Sequence, residues 1–150
     1  MVLLCAAGLV GMVSAVFAQP VGGRMLNDVE ILSEGPCYVV RVGLNFPVRY
    51  ITHAPLGKGK ELRIQLEAIA LSRVDRESRF KREAVTPHAH EHVPLRRVIY
   101  EGDIGAAPYL TLEFGRPVSF KVGQGSDFRS LFVAIPGPEA TDPCLPVISR

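Results

Sequence analysis

The sequence predicts an all-β protein: an antiparallel β-sandwich built from two similar halves, with a short charged connector between them. The first observation is a repeat, in which FPVRYITHAPLGKGKELRIQL (residues 46–66) is echoed by RPVSFKVGQGSDFRSLFVAI (residues 116–135). In each copy a Pro-Val pair, Pro47-Val48 or Pro117-Val118, follows an alternating strand and leads into an aromatic, Tyr50 or Phe120. Each copy then crosses a Gly-containing loop to a second alternating strand. A repeat of this kind specifies an architecture more firmly than an activity. The second observation is the alternation itself, since a period of two is the mark of a half-buried strand. The third is punctuation: with 14 Gly and 12 Pro and no long stretch of helical periodicity, two packed antiparallel sheets are the economical way to bury these faces.

In chain order, Met1 to Ala18 contain no Lys, Arg, Asp or Glu, and the run is rich in small apolar residues. It reads as the apolar region of an export signal, with Val16 and Ala18 three and one residues before Gln19 as a cleavage site. A membrane anchor is the rival reading; the stretch is at the short end for a span, so a membrane is a partner only if the segment is retained. Residues 19–27, with Pro20, Gly22 and Gly23, read as a flexible lead-in. Residues 28–136 read as one sandwich domain; the mature length suits one module and not two.

From Cys37 to Phe46 the pattern alternates cleanly, with Tyr38, Val40, Val42, Leu44 and Phe46 on one face and Val39, Arg41, Gly43 and Asn45 on the other. Pro47 and Pro117 lack a ladder donor and belong at a bend or a sheet edge. Leu62, Ile64, Leu66 and Ala68 alternate with Arg63, Gln65 and Glu67, and further strands read at 95–100, 109–114, 118–122 and 131–135. Tyr38, Phe46, Tyr109 and Phe114 read as core. The stretch Ser72–Ala84, with Ser72 as a candidate N-cap, reads as the charged connector with one turn of helix. Residues 137–150, holding Pro138, Pro143 and Pro146, read as an irregular tail or the start of a linker.

The charges nearly cancel, at 17 Lys+Arg against 15 Asp+Glu, so there is no global field to draw the protein onto nucleic acid. Cys5 falls in the signal, leaving Cys37 and Cys144 as one candidate disulfide in an oxidising compartment. Closing so long a loop is worth roughly 4 to 5 kcal/mol in chain-entropy models.

The export signal, the two β halves and the Pro-Val-x-aromatic step together resemble AMIN domains, periplasmic modules found beside cell-wall amidases and in type IV pilus secretins. The residues carrying the resemblance are VGLNFPVRY (42–50) with ELRIQL (61–66), and LTLEFGRPVSF (110–120) with LFVAI (131–135). The resemblance implies a two-sheet sandwich, location in the periplasm or outer envelope, and peptidoglycan or another envelope polymer, or an envelope protein, as partner. It implies no catalytic residues. The charged, His-containing segment between the halves and the Cys pair depart from that family's pattern.

Two clusters carry candidate chemistry. Arg49, Tyr50, His53, Lys58, Lys60 and Arg63 surround the first-copy loop and offer a basic and aromatic edge to an anionic or sugar polymer; an edge-protecting row of Lys is the structural alternative. His88, His90 and His92 in PHAHEHVP are two apart, so an extended backbone projects all three imidazoles to one side, where Zn²⁺ or Cu²⁺ would find neutral nitrogen ligands. Otherwise the tract is a polar loop, and no cofactor is expected. No nucleophile elbow, dinucleotide fingerprint or P-loop is present in the sequence, so enzyme activity is not expected. The remaining alternatives are a small metal-binding envelope protein using the histidine tract, and a structural piece of a larger envelope protein.

Overall fold

A computed structural model describes residues 23–146. The segment read as an export signal, and residues 19–22 of the lead-in, lie outside the described residues. Those described form strands β1 (Leu26–Glu34), β2 (Cys37–Leu44), β3 (Val48–Ala54) and β4 (Lys58–Ala68), then helix α1 (Arg73–Ser78). There follow β5 (Arg82–Val85), β6 (Leu95–Glu101), β7 (Tyr109–Ser119), β8 (Lys121–Gln124) and β9 (Ser130–Pro136).

The strands make two antiparallel sheets, ordered β1-β2-β9-β8 and β3-β4-β7-β6-β5. The repeat is visible in that order. Exchanging the halves (β1 for β6, β2 for β7, β3 for β8, β4 for β9) turns the first sheet into β6-β7-β4-β3, which is the second sheet without β5. Each half therefore contributes one hairpin to each sheet, and the Pro-Val steps are where the chain changes sheets. Pro47 lies between β2 and β3. Pro117 lies inside β7, where the ladder to β4 is irregular between Gly59 and Glu61; a missing donor costs no ladder bond at such a bulge.

The inner faces follow the alternation. Val40, Val42, Leu44 and Phe46 meet Leu62, Ile64, Leu66, Leu110, Leu112 and Phe114 in one buried cluster. Phe46 packs edge-to-face on Tyr100 with ring centroids 5.8 Å apart. Each such side chain contributes roughly 1.5–3 kcal/mol of burial. Tyr109 departs from the expected core position: it pairs with Gln65 and Glu101, and that parity turns it to the outer face.

Val39 is buried although it faces outward, because the tail covers it. After β9 the chain turns at Gly137, whose N–H donates to Pro36 O at 2.9 Å, and returns across the four-stranded sheet. Cys144 bonds to Cys37, with Cα atoms 5.8 Å apart, and packs with Val39, Phe132 and Ala134 in a second small core. The expected disulfide and the tail's return to the sheet are both present.

Two side chains close the open sides of the sandwich. Glu83 of β5 accepts the N–H groups of Met25 and Leu26 at 2.8–3.0 Å. Gln124 of β8 accepts from Tyr50 N at 2.9 Å and donates to Val48 O at 2.5 Å, supplying β3 with the two bonds that a neighbouring strand would give. Met25 and Leu26 are buried, so the domain starts within the stretch read as lead-in; their apolar side chains complete the core once Glu83 satisfies their backbone. Ser72 does cap α1, accepting from Asp75 N at 3.2 Å.

Candidate functional site

The β4–β7 ladder sets Lys58 opposite Ser119, beside the irregular stretch that carries Arg116. Pinning of Gly137 to Pro36 brings the start of the tail alongside. The segment between β5 and β6 adds His92, whose ring lies 5.3 Å from that of Tyr38. Together these residues line a cleft of about 350 Å³ with Pro117, Val118, Pro136 and Pro138. Among the described residues no Asp or Glu lines it.

Among the described residues neither Lys58 nor Arg116 takes part in an ion pair. His92 Nε2 lies 4.0 Å from the largely exposed Glu91, a separation that constrains it little. The cleft thus offers a guanidinium fork, an ammonium, an imidazole and the Ser119 hydroxyl, a donor set suited to a carboxylate or phosphate. Its Pro-rich walls are stiff, while the exposed Lys58 and Arg116 side chains are ordered only on binding.

The six residues read as a basic edge do not form one surface. Lys58 reaches the cleft, and Lys60 is exposed at the bulge of β4. Arg49 donates to Glu67 at 2.7 Å. Tyr50 and His53 are bound to each other, with Tyr50 Oη 2.6 Å from His53 Nδ1 and His53 Nε2 3.1 Å from Leu56 O. A carbonyl can only accept, so Nε2 carries a proton, and in the neutral ring Tyr50 donates to Nδ1. Arg63 lies on the outer face of the five-stranded sheet, 4.1 Å above the Tyr109 ring and 3.4 Å from Glu101 without hydrogen-bond alignment. Glu101 itself is buried, accepting from Thr111 Oγ1 at 2.7 Å and pairing with Arg82 at 2.8 Å.

His90 and His92 both pack on Tyr38, at 5.0 and 5.3 Å, and His88 lines, together with His90, a groove against Val29 and Ile31. His90 Nδ1 accepts from His92 N and Val93 N at 3.3 Å each. Those donors keep the proton of neutral His90 on Nε2, and a metal bound at Nε2 would force it onto Nδ1 against them. Among the described residues no group of three His, Cys, Asp or Glu side chains is placed to hold a metal ion.

Arg116 is the cleft residue that reading the basic clusters missed. The repeat carried the signal: aligning FPVRY with RPVSF sets Arg116 opposite the buried Phe46. A charge stands where the other copy has core. Comparison of the chain with protein-family models, curated proteins and solved structures finds no match.

Proposed function

We propose that this protein is a non-catalytic exported module of the bacterial envelope, which targets or tethers by binding an anionic wall polymer in the Lys58–Arg116–His92 cleft. The observation that supports this reading best is the convergence of three basic side chains from three separate segments, with no acid among the described residues of the lining. A surface row of Lys would need no such convergence. The apolar N-terminal segment, the Cys37–Cys144 disulfide and the resemblance to AMIN domains favour an oxidising, extracytoplasmic setting. Peptidoglycan suits the cleft chemically because its stem peptides present free carboxylates along a sugar backbone.

The test is co-sedimentation of the purified protein with isolated sacculi across a salt series. Sedimentation that weakens as salt rises supports electrostatic capture. Failure to sediment at low salt would sink the proposal.

A further inference from the structure

At the opposite end of the five-stranded sheet lies a second groove, of about 480 Å³, lined by Ile51, Glu67, Arg79, Phe80, Gly102 and the 105–108 loop. β4 runs from Lys58 at the cleft to Ala68 at this groove, roughly 30 Å at ~3.3 Å per residue, so the two sites are separate. Its walls expose apolar surface: Ile51 is 45% and Phe80 53% accessible. Among the described residues, Arg79 is the lining charge left unmatched: its Nε atom is buried with no hydrogen-bond partner, and no ion pair includes it. Glu67, the acid in the lining, is already held by Arg49.

The main chain of Arg79 is also fixed in place. Its N–H donates to Asp75 O at 2.9 Å, and its carbonyl accepts from the buried Tyr100 hydroxyl at 2.7 Å. Its guanidinium stacks 4.4 Å over the Phe80 ring. The carbonyl approaches the backbone so closely that a Cβ on Gly102 would sit 1.7 Å from it. A guanidinium stacked on an apolar ring suits an anion joined directly to an apolar group, and with a single positive charge among the described residues of the groove a carboxylate, a monoanion, matches it better than a phosphate dianion. We infer that the Arg79–Phe80 groove binds a monocarboxylate bearing a branched or aromatic apolar group, with the carboxylate on Arg79 and the apolar part against Phe80 and Ile51. This site does not depend on the anionic cleft.

The test is an NMR titration of the isotope-labelled protein with N-acetyl-Gly-Leu, with its C-terminal amide, and with 4-methylpentanoate. The free acids shift the amide resonances of Arg79, Phe80 and Ala106 and leave those of Lys58 and Ser119 in place. The amide binds at least ~10-fold more weakly, equivalent to about 1.4 kcal/mol. Arg79→Gln, which keeps every main-chain bond, weakens the acids at least ~10-fold, and the exposed Phe80→Ala weakens them while retaining the wild-type fold. Tighter binding of the peptide acid assigns the site to a chain terminus, and tighter binding of 4-methylpentanoate assigns it to free apolar acids. Equal affinity for acid and amide, unaltered affinity in Arg79→Gln, or no shift at Arg79 and Phe80 in millimolar acid overturns the inference.

Discussion

Replacing Cys144 by Ala removes the tie between the tail and β2, and the cost follows from the loop it closes. The bond joins residues 107 apart, for which the chain-entropy relation gives ~4.8 kcal/mol at 25 °C. Loss of the covalent tie also weakens the small core of Val39, Phe132 and Ala134 that the tail covers. Against a stability of ~5–15 kcal/mol for a domain of this size, the variant should fold with a much reduced margin. Urea unfolding followed by far-UV circular dichroism measures it: at a slope of ~2 kcal/mol per M the midpoint falls by about 2 M. The slope should rise, because the unfolded chain without a crosslink is less compact. Wild-type protein in reductant should match a Cys37→Ala/Cys144→Ala double variant. A loss below ~1 kcal/mol, or indifference to reductant, would refute the argument that the bond closes this loop in the unfolded ensemble.

Three further outcomes follow from particular contacts. Gln124→Leu strands Val48 O and Tyr50 N, and should cost about 1–2 kcal/mol and speed hydrogen exchange at Tyr50. Gly102→Ala puts a methyl into the Arg79 carbonyl; since main chain must move, a loss above ~2 kcal/mol is expected, visible as a lowered melting temperature. For Asp127, burial pushes the carboxyl's pKa up, but hydrogen bonds from Arg129 N, Ser130 Oγ and Ser130 N outweigh it and hold it below the ordinary 3.8. Its folded pKa is thus the lower one, so its contribution is present above the unfolded value and is lost as pH falls through the folded value. The site is exposed, so Asp127→Asn should cost only ~0.5–1 kcal/mol at neutral pH, and chemical denaturation should show the gap closing below pH ~3.8.

The central strands were legible because burial on one face writes a period of two into β2, β4 and β9. The edges were not. β1 carries a register shift between Leu26 and Asp28 and lies at a sheet edge, so its alternation is blurred; β5 spans only Arg82–Val85. Tyr109 reads as core from its aromatic character, whereas strand parity decides its face in the fold. For the cleft, Lys58 stood out in a basic run. His92 stood out for a different chemistry, and Arg116 stood out only against Phe46 in the repeat. What brings them together is the return of the tail through Gly137 and the change of sheet after β7. Those are tertiary events that no local pattern encodes.

The measurement that tests the central claim most directly is the sacculus affinity of Arg116→Gln and Lys58→Gln, set beside the exposed Arg73→Gln as a control of equal charge. If the cleft captures an anionic polymer, each cleft variant binds at least ~10-fold more weakly with a shallower salt dependence, and Arg73→Gln binds as wild type. Equal weakening by all three would contradict the account, because binding would then follow net charge and not the cleft.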